Sequence, residues 1–257
     1  MAQRPQRSLR HEYELFVEEE IESYKESLPR AVLLKLGDEA AARLSGELQL
    51  ALTELLLCEE VDRIIRQRLR IPTYQTWRRR RLKHLDELRR PERWGLRPDD
   101  LLVRAVRPSR DGHVLVAGTR EEGSALYLAA NGLAVTAIDH EADVLQRVLD
   151  AAEAAGLSQR VRACVGDLSL WAPDAPLNAV VFAPHALEGM ASAVRARTIE
   201  QLQDATTCGG IHLVECLGGR AAVTVDELRG CYDGWLVSVE QSAGSGGHAF
   251  VARKELS

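Results

Sequence analysis

Gly118 and Asp139 are the residues whose types and spacing first suggest chemistry. The acid follows the glycine by about 20 residues, the separation at which a carboxylate can accept hydrogen bonds from both hydroxyls of a ribose. A glycine at such a turn lets backbone N–H groups approach a ligand, because no Cβ intervenes. A third candidate is His185, in Ala183-Pro184-His185 after the apolar run 178–182. Imidazoles as a class exchange protons near neutrality, so His185 could act as a general base. It could equally be a loop histidine with a structural hydrogen bond, and both readings stand.

These residues need elements to hold them. Residues 114–117 form an apolar run that reaches the turn at Gly118. An alanine- and leucine-rich segment, 124–131, follows and is stopped by Gly132. A second apolar run, 133–138, ends on Asp139. Strand, turn, helix, strand and acid in that order is the layout of a nucleotide-binding βαβ unit. Both runs are short, uncharged and partly β-branched, as strands buried on both faces of a parallel sheet should be. Downstream, 141–156 reads as an amphipathic helix with Val144, Val148, Leu149 and Ala152 inward and Gly156 as its stop. Residues 161–165, 178–182 and 211–216 read as further strands, and 191–206 as a helix. Cys208-Gly209-Gly210 reads as a turn, 244–247 as a hairpin turn, and 248–253 as an antiparallel last strand.

The stretch 114–140 resembles the first two motifs of class I S-adenosylmethionine-dependent methyltransferases, and more closely the tellurite-resistance and thiopurine type. Ala125-Leu126-Tyr127-Leu128-Ala129-Ala130-Asn131-Gly132 carries the helical part of that likeness. The resemblance covers about residues 111–254. It implies a seven-stranded, Rossmann-like sheet with an antiparallel last strand, and S-adenosylmethionine as cofactor. Within that implication Asp167 binds the adenine amino group, and Gly118, Arg120, Asp139, His140, Gly166 and Leu168 complete the cofactor set. The glycine-rich turn departs from the pattern. Val116 stands where the family has an acid, and Arg120 and Glu122 stand where it has small residues. Arg120 would either fill the methionine pocket or reach the cofactor carboxylate. Obstruction is the reading preferred, because Glu121 and Glu122 would compete for the guanidinium. His248 lacks the following arginine of the tellurite-resistance proteins, which argues against oxyanion substrates.

The bulk numbers set outer bounds. A chain of 257 residues can build one large domain, or one ordinary domain with an extension. A net charge of −5 gives no wholesale attraction to nucleic acid or anionic membrane. The five cysteines are odd in number and show no C-x-x-C pair, so neither a disulfide framework nor structural zinc is expected, and no metal is assigned. No apolar run reaches the roughly 18 residues of a membrane span, and no signal-peptide core is present, so the expected location is cytoplasmic.

The first hundred residues read as all-helical. Tyr13, Phe16, Val17, Ile21 and Tyr24 fall on one helical face. A second helix is expected from Pro29 to Leu36, stopped by Gly37, then a long one over 45–70 and another over 73–90. Charge separates along this segment: between Val61 and Trp94 there are twelve Arg and Lys against four Asp and Glu. The run Arg78-Arg79-Arg80-Arg81 is its densest part. One reading is a solvated face with weak surface pairs. The other is a phosphate-binding patch with Trp77 available for stacking. Four successive arginines spread around a helix rather than forming a stripe, which weighs toward the solvated face.

The expectation is therefore an all-helical segment, 1–97, followed by a methyltransferase-like α/β domain, 98–257. The expected activity is methyl transfer to a small-molecule substrate. The alternative is a methyltransferase fold that no longer catalyses and acts as a binding or scaffolding subunit through its helical segment. No membrane partner is expected and nucleic acid is not favoured; a homo-oligomer formed through the helical segment is left open.

Overall fold

The computed structural model of the chain describes residues 8–44, 53–107, 112–118, 122–183, 185–216, 223–241 and 248–255. These residues fall into two compact units, Met1–His84 and Leu85–Ser257.

The first unit is helical. Helix α1 (Leu9–Ser27) begins where Ser8 caps it by accepting a hydrogen bond from the His11 amide at 3.2 Å. Helix α2 (Arg30–Leu44) runs straight through Gly37, where a stop was expected. Glycine costs a helix about 0.5–1 kcal/mol relative to alanine. Burial of Leu36 and Ala40, on either side of Gly37, offsets that cost. Helix α3 (Thr53–Leu69) follows, and residues 45–52 of the expected long helix lie outside the described residues. Val17, Ile21, Leu36, Ala40, Ile64 and Ile65 form the unit's core. Helix α4 (Tyr74–Leu88) starts in this unit, and its Tyr74 and Trp77 pack against Tyr13, with ring centroids 5.5 Å away in each case.

The second unit is an α/β layer structure. Its seven strands are β1 (His113–Ala117), β2 (Ala134–Asp139), β3 (Val161–Val165), β4 (Leu177–Phe182), β5 (Thr206–Cys216), β6 (Trp235–Gln241) and β7 (His248–Lys254). They lie in the order β3-β2-β1-β4-β5-β7-β6. The pairs among β1 to β5 are parallel, and β7 runs antiparallel to both β5 and β6. This is the Rossmann-like, mostly parallel sheet with an antiparallel last strand that the methyltransferase resemblance implies.

Side chains alternate between the sheet faces, as the two-residue strand period requires. Val114 and Val116 join the core beneath helices α5 (Leu101–Ala105), α6 (Gly123–Ala130) and α7 (Ala142–Ala154). Leu115 and Ala117 join the opposite core beneath α8 (Ser192–Ala205) and α9 (Val225–Cys231). Strand β5 begins at Thr206, earlier than expected, because Cys208-Gly209-Gly210 forms an irregularity within the strand rather than a turn before it. The expected hairpin turn at 244–247 lies outside the described residues.

The units divide at residue 84, whereas the boundary placed from the sequence was at 97. Residues 91–96 separate from the helices because Trp94 and Leu96 pack against the α/β core. The 3-10 turn Pro91–Trp94 lies on α6, so close that a Cβ on Gly123 would sit 2.2 Å from the Trp94 carbonyl oxygen. Among the described residues, no helix is long and apolar enough to cross a membrane.

Candidate functional site

The strand order reverses between β1 and β4, and open α/β sheets bind ligands outside the carboxyl ends of their strands at such a point. Gly118 ends β1 with φ +74, a left-handed conformation that suits glycine. Its amide donates to the Ile138 carbonyl of β2 at 3.0 Å. The loop after β4 comes down on it: a Cβ on Gly118 would lie 2.9 Å from both Cα and Cβ of Ala186. Gly118 thus serves a tight crossing between the two strand ends.

One strand further out, Asp139 closes β2. Its carboxylate is only 8% exposed, and Oδ1 accepts from the Glu141 amide at 2.9 Å. That local turn fixes the side chain, the usual behaviour of an aspartate two residues before an amide. His140 lies outside it, 82% exposed, with Nδ1 3.2 Å from Asp139 Oδ1. The next strand repeats the device. Gly166 donates its amide to the Asp139 carbonyl at 2.9 Å, joining the β2 and β3 ends. Asp167 then caps the 3-10 turn Leu168–Leu170, its Oδ1 accepting from the Ser169 amide at 2.8 Å. Those hydrogen bonds from Ser169, with the nearby His140 imidazole adding a smaller effect, hold the Asp167 carboxyl below the usual carboxylate range.

Gly118, Asp139, Gly166 and Asp167 thus line the ends of three neighbouring strands, about 9–10 Å across at the normal strand spacing. Leu168 is different. Its side chain is buried in the core below α8, so only its backbone faces this edge. Arg120 and Glu121 lie outside the described residues, whereas the Glu122 carboxylate stands 3.4 Å from Arg147 Nε and is thereby engaged. Val116 is 2% exposed and points into the core beneath α6, so it contributes nothing polar here.

His185 sits in the turn after β4, with a quarter of its side chain exposed and Nδ1 3.6 Å from a Glu188 carboxylate oxygen. Reading from the sequence missed Glu188, although its position three residues after the histidine was a legible signal. It also missed Ala186, whose closeness to Gly118 has no local sequence signature.

Two ordered carboxylates, Asp139 and Asp167, stand at adjacent strand ends, which is the acceptor chemistry that the ribose diol and exocyclic amine of an adenosyl group would need. For the methionyl end, the described residues supply no acid at position 116.

No family model matches the chain, and no curated protein matches it. Among solved structures, the chain is similar in fold to a TehB-like SAM-dependent methyltransferase from Corynebacterium glutamicum, at 21% identity and TM-score 0.49, over 60% of this chain and 85% of that one. It is similar to TehB from Haemophilus influenzae at 16% identity and TM-score 0.47, over 55% of this chain and 57% of that one. An rRNA methylase from Streptococcus thermophilus matches at 16% identity and TM-score 0.48, over 65% of this chain and 98% of that one.

Proposed function

We propose that the α/β unit binds S-adenosylmethionine and transfers its methyl group to a small molecule. The observation that carries this reading is the pairing of Asp139 and Asp167 at the ends of β2 and β3, each aligned by an amide two residues onward. Asp139 would accept from the ribose hydroxyls and Asp167 from the adenine amine, with Gly118 and Gly166 keeping the backbone close. The cofactor supplies an already activated sulfonium methyl. The protein's share of the work is then to align the acceptor and exclude water, with no acid–base residue strictly required. His185, 3.6 Å from Glu188, would take a proton from an acceptor that needs to lose one.

The alternative, a scaffold that no longer catalyses, is favoured by one observation: Val116 leaves the methionyl end without the acid of the resembling family. Calorimetric titration of the full chain with S-adenosylmethionine and S-adenosylhomocysteine separates the two. Saturable micromolar binding that Asp139→Ala weakens supports the enzyme, and the absence of heat with either ligand supports the scaffold.

A further inference from the structure

The helices of the first unit pair their charges along the chain. Arg10 meets Glu14 at 3.0 Å, Lys25 meets Glu22 at 2.8 Å, Arg43 meets Glu39 at 2.8 Å, and Arg63 meets Glu60 at 2.7 Å. All are three or four residues apart, the spacing at which helix neighbours stabilise each other when oppositely charged. Helix α4 breaks the rule. From Arg63 to Leu85 the chain carries nine arginines and lysines and no acid. Arg79 and Lys83 stand four apart with like charge, and Arg80 and Lys83 stand three apart. Upstream, Arg63 pairs with Glu60 and Arg68 with Glu39, but among residues 78–83, all of them described, only Arg81 has an acidic partner, its Nε 3.3 Å from Glu12. Arg78, Arg79, Arg80 and Lys83 are all exposed.

The even spread of arginine expected from the sequence is resolved by the packing. Tyr74, Trp77 and Arg81 turn toward α1, where they meet Tyr13, Phe16 and Glu12. That leaves Arg79, Arg80 and Lys83 on the opposite face, with Arg78 at its edge. The stretch from Arg78 to Lys83 covers about 7–8 Å of helix axis, which matches two to three successive phosphates along one strand of a duplex.

We propose that this face of α4 is a binding surface for the phosphodiester backbone of a nucleic acid, independent of the cofactor site. Guanidinium groups take phosphate oxygens two at a time, and three of the four cations are arginines. A membrane surface fits less well. A helix lying in the lipid interface needs its apolar face for the acyl layer, and here Tyr74 and Trp77 are engaged by the rings of Tyr13 and Phe16 on α1. Those ring contacts also occupy Trp77, so base stacking, which belonged to the alternative reading of this run, is no part of the proposal. Binding is therefore through charge and indifferent to base sequence.

The test is fluorescence anisotropy of the full-length chain with a labelled DNA duplex of roughly 20 base pairs, titrated at several salt concentrations. The wild type should bind, with affinity falling steeply as salt rises. Arg79→Gln/Arg80→Gln/Lys83→Gln should weaken binding at least tenfold and reduce the log–log salt slope by about 2–3, near 0.9 for each lost phosphate contact. The charge-conserving Arg79→Lys/Arg80→Lys should keep the slope and lose only affinity, which separates a contact role from a folding defect. Arg30→Gln/Lys35→Gln, removing exposed cations from α2, is the matched control and should change little. Absence of wild-type binding overturns the proposal. So does an equal loss in the control, or stronger binding to phosphatidylserine-containing vesicles than to the duplex.

Discussion

Gly118 and Ala186 meet where β1 ends and the loop after β4 begins, with no room between them for a methyl group. The contact joins the two strands that flank the reversal of the sheet. Gly118→Ala should therefore fail twice over. A left-handed backbone costs a residue with a Cβ about 1–2 kcal/mol, and the added carbon would meet Ala186 backbone rather than a flexible tip. Urea unfolding followed by circular dichroism should show a loss of at least that size, and cofactor titration a loss of affinity. A variant as stable as wild type would mean that the loop moves aside freely.

A pair of glycines tests the opposite signs of one substitution. Within helices, alanine is favoured over glycine by about 1 kcal/mol. At Gly37, in the middle of α2, nothing lies within 4 Å of an added Cβ, so Gly37→Ala should stabilise the helical unit by about 0.5–1 kcal/mol. At Gly123 the added carbon would stand 2.2 Å from the Trp94 carbonyl, so the 91–94 turn must shift. Gly123→Ala should be destabilising despite its better propensity. Thermal melts that moved both variants in the same direction would contradict this account.

The two glycines also show what a sequence discloses. Strands β1 and β2 and helix α6 were legible because nearly every residue in them is buried, which leaves an uncharged, periodic record. Asp139 and Asp167 were legible because they follow strand ends at fixed spacing. Gly37 was misread, since glycine punctuates chains on average and only tertiary burial of Leu36 and Ala40 shows otherwise. The closeness of Trp94 to Gly123, and of Ala186 to Gly118, joins residues far apart in the chain. Their backbone proximity leaves no local pattern. The same holds for Trp77, whose partners Tyr13 and Phe16 lie on another helix.

Asp139 offers a test of binding apart from folding. Asp139→Asn keeps an oxygen for the Glu141 amide but loses the charge, whereas Asp139→Ala loses both. If the carboxylate takes two ribose hydroxyls, alanine should cost about 1.5–3 kcal/mol of cofactor affinity for each bond, and asparagine less. Equal affinity of wild type, Asn and Ala variants for S-adenosylhomocysteine would remove Asp139 from the site.

Acid stability turns on His212. The imidazole is wholly buried between β5 and α9, with Nε2 2.9 Å from Thr206 Oγ1 and Nδ1 2.8 Å from the Tyr232 hydroxyl. Thr206 donates its own proton to the Leu202 carbonyl at 2.6 Å. The threonine can then only accept from the ring, so Nε2 carries the proton and Nδ1 accepts from Tyr232. All three side chains are satisfied while the ring stays neutral. Burial, with the Lys254 ammonium as a lesser cause, pushes the His212 pKa down to about 3. The unfolded imidazole, with a pKa near 6.5, takes up a proton below that pH that the folded one refuses. Stability should therefore be fully present above about pH 6.5 and fall as pH drops toward about 3, by up to 1.36 kcal/mol per pH unit, or on the order of 2 kcal/mol by pH 5. His113, whose pKa burial also lowers, adds a loss of the same sign. The decisive quantity is therefore the difference between wild type and His212→Gln. Denaturation at pH 7.5 and pH 5 should show a smaller pH effect in the variant. Tyr232→Phe should leave the pH effect in place while costing about 1–3 kcal/mol at both, through the unpaired Nδ1. Identical pH dependence in wild type and His212→Gln would show that the ring is not held neutral by its burial.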